Sequence, residues 1–268
     1  MIFQKTLRTL QHYLPGGRNG REALSRIVRR VRGIVHDPDL AALRLFPPDW
    51  LLLDVGANYG QSASSMRLAQ PRARIISYEP NTELAARITA LFHNDPAIEV
   101  RPFGLSDRAG LFTLYIPYYG NFAYPGLASL NEDEARSWLS PETLFFFKAS
   151  RVRITPIQCR VITLDSEQLA PSFIKIDVQG AEYEMLQGSR QTLQRHQPVL
   201  LIESPGRDER IGRLLESLGY REFAYEGDRF LQKKSEGTNS FFLTDAKQAM
   251  LDALHPGLFV NRMAIAEA

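Results

Sequence analysis

Ten consecutive residues, Leu51-Leu52-Leu53-Asp54-Val55-Gly56-Ala57-Asn58-Tyr59-Gly60, narrow the fold more than any other stretch of the 268-residue chain. A short continuous apolar run reads as a strand buried on both faces, the habit of parallel sheets. Gln61 to Leu68 has the composition of a helix, so the glycine-bearing turn lies where a strand's carboxyl end feeds a helix. In open α/β sheets, ligands bind just outside those carboxyl ends. Gly56 and Gly60 let backbone approach such a ligand, and the first turn of the helix offers N–H groups that have no partner within it. Tyr78-Glu79-Pro80 closes another strand, with Glu79 where a carboxylate accepts from both hydroxyls of a ribose.

Which nucleoside is bound follows from what the loop lacks. A dinucleotide fingerprint repeats glycine as GxGxxG, whereas counting from Gly56 this chain has Asn58 and Gln61 at the second and third glycine positions. The acid at the strand end, Asp54, suits a cofactor with positive charge near the loop, such as the ammonium and sulfonium of S-adenosylmethionine, better than it suits a pyrophosphate. The pattern favours a methyltransferase. A nicotinamide-dependent oxidoreductase and a catalytically silent, methyltransferase-like binding module stand as alternatives.

Pro47-Pro48 disfavours helix on both sides and marks a boundary between residues 1 to 46 and a domain over 47 to 268. Residues 1 to 34 hold eight Lys or Arg against Glu22 alone, so a chain of net charge +2 has a basic end and an acidic remainder. Apolar residues there recur at helical spacing on either side of Pro15-Gly16-Gly17, which predicts a basic helical N-terminal extension. Such helices fit peripheral contact with an anionic membrane surface or glycan. No nucleic-acid partner is expected, because the basic stretch accompanies no recognition module. No apolar run reaches the roughly 18 residues of a membrane span, and the N-terminus lacks the apolar core of a secretory signal, which makes the cytoplasm the expected location. The single cysteine, Cys159, excludes an internal disulfide framework.

Beyond the boundary the chain alternates: strand 51 to 56, helix 60 to 69, strand 74 to 79, helix 81 to 93, strand 98 to 104. That order predicts a Rossmann-like, doubly wound α/β sheet. An insertion at about 111 to 162 interrupts it, with a Gly/Tyr-rich loop at Tyr118 to Leu130 that reads as a sugar-stacking lid over Tyr118 to Tyr124, and Phe145 to Phe147 as core. The alternation resumes at strand 173 to 178, a helix from about 181, strand 198 to 203 and helix 207 to 218. Two late strands follow, at about 221 to 232 and 239 to 243, the last one antiparallel. Asp177 and Glu203 end the two resumed strands, and both face the cofactor edge.

Four motifs now stand in order: the Asp54 to Gly60 loop, Tyr78-Glu79-Pro80, Gly104-Leu105-Ser106-Asp107-Arg108-Ala109-Gly110, and Ile174-Lys175-Ile176-Asp177-Val178-Gln179-Gly180-Ala181-Glu182, followed by Leu186-Gln187-Gly188 and Glu203. Over about residues 50 to 205 the chain resembles the FkbM-like methyltransferases. The resemblance implies a class I methyltransferase fold with a seven-stranded, mostly parallel sheet, S-adenosylmethionine as donor, and mostly O-methylation of a hydroxyl on a sugar, glycan or natural-product-like small molecule. It implies Asp54, Gly56, Asn58 and Gly60 around the methionine part of the donor, Glu79 on the ribose, and Ser106 and Asp107 at the adenine. Gln179 departs from the glutamate usual in the family. An alcohol acceptor must also lose a proton, and a carboxylate at the cofactor edge is the natural general base. Asp177 is the first candidate, Glu203 the second and Glu182 the third. Two acids without a third ligand do not make an octahedral oxygen site, so no metal is expected.

Overall fold

The computed structural model describes residues 35 to 232 and 239 to 260. The basic helices expected at residues 1 to 34 lie outside them, as does the link at 233 to 238.

The alternation is present as β1 (Leu51–Val55), α1 (Gln61–Ala69), β2 (Arg74–Tyr78), α2 (Thr82–Leu91) and β3 (Ile98–Arg101). It resumes as β8 (Phe173–Ile176), α4 (Glu182–Gln187), α5 (Arg190–His196), β9 (Val199–Glu203) and α6 (Glu209–Ser217). The late elements are β10 (Tyr220–Glu226), β11 (Arg229–Gln232), β12 (Asn239–Thr244), α7 (Asp245–Leu254) and β13 (Phe259–Val260). The sheet runs β13-β11-β10-β12-β9-β8-β1-β2-β3. Chain order therefore reverses at β1, flanked by β2 on one side and β8 on the other, both parallel to it. That reversal opens a crevice beyond the strand ends.

The expected antiparallel strand is β12, inserted between β9 and β10. Among the described residues the sheet nevertheless has nine strands rather than seven. The stretch expected as one strand over 221 to 232 is a hairpin, whose turn places Gly227 and Asp228 at φ +56° and +61°. Two left-handed residues in succession make the tight turn whose twist matches antiparallel strands. β11 then extends the sheet and β13 pairs parallel to it.

Period-2 alternation divides the core between the two sheet faces. Leu52, Ile75, Phe173, Val199 and Leu201 pack with Ala63 and Met66 of α1 and Leu251 of α7. Leu53, Ile76, Ile174, Ile176, Leu200 and Ile202 pack with Met185, Leu193, Ile211 and Leu215 of α4 to α6. Residues 38 to 46, assigned from sequence to the extension, form a 3-10 turn that delivers Leu40, Leu43 and Phe46 to the first of these cores.

The third strand is shorter than expected and breaks at Pro102-Phe103. Gly104–Leu105 (β4) belongs to a second sheet with β5 (Gly110–Tyr119), β6 (Phe122–Ala123) and β7 (Val152–Ile162), ordered β4-β7-β5-β6. This sheet and the short helix α3 (Glu132–Ser137) make up the insertion. Tyr118 to Tyr124 is thus a hairpin rather than a loop. Tyr119 and Tyr124 are buried with Leu139 and Leu144. Of the three phenylalanines expected in the core, Phe147 stacks on Tyr119, but Phe146 is 84% exposed and Phe145 is exposed beside it. The segment turns outward at Phe146, whose φ is +53°.

Candidate active site

Register carries the chemistry to one face of the sheet. Asp54 pairs with Ser77 on β2 and with Lys175 on β8, and Lys175 pairs with Leu201 on β9. This gives a row Ser77–Asp54–Lys175–Leu201. Two residues further along each strand, on the same face, lies a second row, Glu79–Gly56–Asp177–Glu203. Gly56 and Asp177 touch: a Cβ on Gly56 would lie 1.8 Å from the Asp177 carbonyl oxygen, and Gly56 has φ +86°. Only glycine fits there. The two rows hold four carboxylates and a single ammonium.

On the β2 side, Glu79 is 5% exposed and accepts from two backbone N–H groups, Asn58 at 2.7 Å and Asn81 at 2.9 Å. Burial pushes its pKa up to about 7 against the pull of those two donors. Asn81 also caps α2, its Oδ1 accepting from the N–H groups of Glu83 and Leu84. Asn58 takes the left-handed conformation at φ +50°. Asp54 is fully buried and pushed up to about 6 by that burial, which the Lys175 charge opposes. Asp54 Oδ1 and Asn58 Oδ1 are buried with no hydrogen-bond partner. Orphaned acceptors of this kind fit the ammonium end of S-adenosylmethionine, and the second lone pairs on the Glu79 oxygens fit a ribose diol. Asp54, Gly56, Asn58 and Glu79 are thus brought together at one strand-end crevice, while Gly60, at φ +76°, stands at the N-terminus of α1, where a Cβ would meet Ile88, Leu91 and Phe92.

On the β8 and β9 side, the Lys175 ammonium lies 3.0 Å from Asp177 Oδ2. Gln179, at φ +52°, donates its amide Nε2 to Asp177 Oδ1 at 2.8 Å and to Glu203 Oε2 at 3.1 Å. Burial is the largest single effect and raises Asp177, but the Lys175 charge together with the hydrogen bonds from Glu203, Gln179 and Lys175 outweighs it and holds this carboxyl well below the usual range. Glu203 is pushed up to about 8, first by its hydrogen bond with Asp177 and then by burial. At neutral pH the two acids share one proton, carried by Glu203. Gln179 explains its departure from glutamate locally: a neutral amide binds both carboxylates, where a third acid would repel them.

Glu203 and Gln179 line a cavity of about 330 Å³ together with Glu134, Glu182, Asp208 and Arg210. Glu182 receives the N–H groups of Val178 and Gly180 and so closes the loop after β8. Ser129 Oγ donates to Glu134 at 2.6 Å, and the Gly180 backbone packs against that carboxylate, so the insertion docks on the loop after β8. A second cavity, of about 230 Å³, lies on the β2 side between Tyr59, Asn81 and Arg87 and the hairpin residues Tyr118 and Phe122. Ser106 and Asp107 line neither cavity. The Ser106 carbonyl packs on Gly188, its hydroxyl donates to Asp107 at 3.2 Å, and Asp107 pairs with Arg108 at 3.6 Å. Among the described residues, no three His, Cys, Asp or Glu side chains are grouped to hold a metal ion, and no helix is long and apolar enough to cross a membrane.

Sequence reasoning overlooked Lys175, although its place two residues before Asp177 in a strand puts both on one face. Nothing in the sequence pointed to Ser129 and Glu134, whose contact with the β8 loop spans the insertion.

The Methyltransferase FkbM domain family matches residues 54–226. Over 167 residues the chain is 32% identical to the AMB antimetabolite synthetase AmbE of Pseudomonas aeruginosa, a match covering 54% of this chain and 8% of that protein. Among solved structures, Methyltransferase FkbM from Methylobacillus flagellatus KT is 16% identical with a TM-score of 0.47, covering 74% of this chain and 44% of that one. An S-adenosylmethionine-dependent O-methyltransferase from Thermotoga maritima is 11% identical with a TM-score of 0.40, covering 79% and 66%.

Proposed function

Since the chain belongs to the FkbM family of S-adenosylmethionine-dependent methyltransferases, we propose that it methylates a hydroxyl of a sugar, glycan or other natural-product-like small molecule, with Glu203 taking the hydroxyl proton. Membership of this family sets the oxidoreductase alternative aside. The observation that carries the hydroxyl reading is the acid pair: an alcohol needs a base, and Glu203 lines the cavity of about 330 Å³ while both Asp177 oxygens are engaged by Lys175 and Gln179. The antimetabolite synthetase that shares this stretch is in keeping with a small-molecule acceptor.

The donor, when bound, supplies an electrophilic methyl on a sulfonium. Asp54, Asn58 and Glu79 hold it at the β1 and β2 strand ends, and the carboxylates there favour its positive charge. Holding acceptor and donor in line is worth roughly 7 to 11 kcal/mol, the largest share of the acceleration. Glu203 adds a factor of about 10² to 10⁴ by removing the proton as the ether bond forms. The Asp177 charge makes Glu203 a stronger base than an isolated glutamate, at the cost that it must first be deprotonated.

The test is an acceptor screen with methyl-labelled S-adenosylmethionine over sugars, oligosaccharides and hydroxylated small molecules, with the product bond assigned by NMR. Ether products are expected, with a rate that rises with pH up to about 8 as Glu203 ionises. Glu203→Gln should cost about 10²-fold or more in turnover and leave donor affinity in place. Methyl transfer to nitrogen, or full turnover by Glu203→Gln, would overturn the assignment. Donor binding with no turnover on any acceptor would favour the silent binding module.

A further inference from the structure

Lys175 is a buried ammonium, 6% exposed, in the middle of a site that takes a cationic donor. For the donor alone that arrangement is unfavourable, because like charges repel. Its partners are acids on three neighbouring strands. Asp54 lies beside it on β1, Asp177 is 3.0 Å away at the end of its own strand, and Glu203 follows at the end of β9. Ser77 on β2 completes the row through its 3.5 Å contact with Asp54. Around Glu203 stand Asp177, Gln179 and Lys175, with Glu182, Glu134, Asp208 and Arg210 lining the same cavity.

We infer that Lys175 is a positioning residue for methyl transfer: its ammonium holds the Asp177 carboxylate from beneath, so that Gln179 and Glu203 meet it in one orientation and Glu203 is left facing the acceptor cavity as the base. The inference rests on the methyl-transfer reading above. Burial alone would discharge Lys175, yet the charges of Asp177 and Asp54 keep it protonated, so the cation persists across the working pH range. With it in place, Asp177 stays ionised and can accept from Glu203. Without it, two carboxylates in contact face no counter-charge, and the shared proton is held more tightly.

The experiment is a pH titration of the full-length protein labelled with ¹³C at glutamate carboxyls, the Glu203 signal being identified by its loss in Glu203→Gln. In Lys175→Met the Glu203 midpoint should rise by about one pH unit or more. In Lys175→Arg, which keeps the charge, it should stay within about half a pH unit of wild type. Calorimetry with S-adenosylmethionine should show affinity unchanged or tighter in Lys175→Met, since the repulsion is gone. A purely structural lysine would move neither signal in this pattern. An unmoved midpoint in Lys175→Met overturns the inference. So does a midpoint that climbs as far in Lys175→Arg as the loss of the charge should take it, and this arm carries the test if the methionine variant does not fold. The two readings fail separately: absence of ether products in the acceptor screen overturns O-methylation, whereas an unmoved Glu203 midpoint with donor binding intact overturns the role of Lys175 alone.

Discussion

At the residue scale the site is governed by how each carboxylate is compensated. Glu79, Asp54, Asp177 and Glu203 crowd one sheet edge, and their ionisation diverges because their partners differ. Asp177 has a cation and an amide. Glu79 has two backbone N–H groups, and Asp54 is left with an unpartnered oxygen. Glu79 carries a direct prediction. Only the ionised carboxylate accepts from both hydroxyls of a ribose, and its pKa stands at about 7, so protonation competes with donor binding below that pH. Affinity for S-adenosylmethionine should be greatest above pH 7 and fall by up to about tenfold per pH unit beneath it. Glu79→Gln should bind roughly tenfold or more weakly at pH 8 and lose the part of the pH dependence centred near 7, leaving the fall near 6 that the buried Asp54 contributes, both readable by calorimetry. Glu79 and Asp54 were legible in the sequence because their positions relative to strand ends are local facts. Lys175 was overlooked in spite of equally local information, since the residue two places before a strand-end acid shares its face. That Asp54 is its neighbour was not local, because register between β1 and β8 depends on about 120 residues of intervening chain.

At the scale of elements, the alternation of apolar strands with helices was readable from composition and period, and the strands and helices of the parallel half stand within a few residues of expectation. The failures lie where backbone chemistry overrides pattern. Pro102 cannot donate to a ladder, and the strand that read as running to Gly104 splits between two sheets. Gly227-Asp228 was a visible turn signal, and an unbroken reading of 221 to 232 passed over it. The hairpin it makes is separable from the site. Gly227→Ala should destabilise the fold by about 1 to 2 kcal/mol, the cost of a side chain in the left-handed region, when measured by urea unfolding. Donor affinity should be unchanged, because β10 and β11 lie on the far side of β12 from the crevice. A loss of donor binding would show that the edge hairpin supports the site.

At the scale of the whole molecule, the insertion between β3 and β8 supplies a wall to both site cavities, through Glu134 of α3 on one side and Tyr118 and Phe122 of the small sheet on the other. Cys159, on β7, is 2% exposed in the core of that small sheet, and burial pushes its thiol up to about 11. Because only the thiolate reacts, a thiol reagent should label the native protein at least about 10²-fold more slowly than the urea-unfolded chain. With a single cysteine the rate reports opening of this sheet alone. Rapid native labelling would mean that the cavity walls are not held closed. The class of fold, the glycine-bearing turn after β1 and the acids at the strand ends were all written in the order of residues, since they follow from local period, turn chemistry and the alternation of faces. Which acid meets which cation, where the proton of the Asp177 and Glu203 pair resides, and what walls the cavities came only with the folded arrangement. Each of those depends on strand register and on docking between segments far apart in the chain, and burial then sets the charge states that isolated residues do not possess.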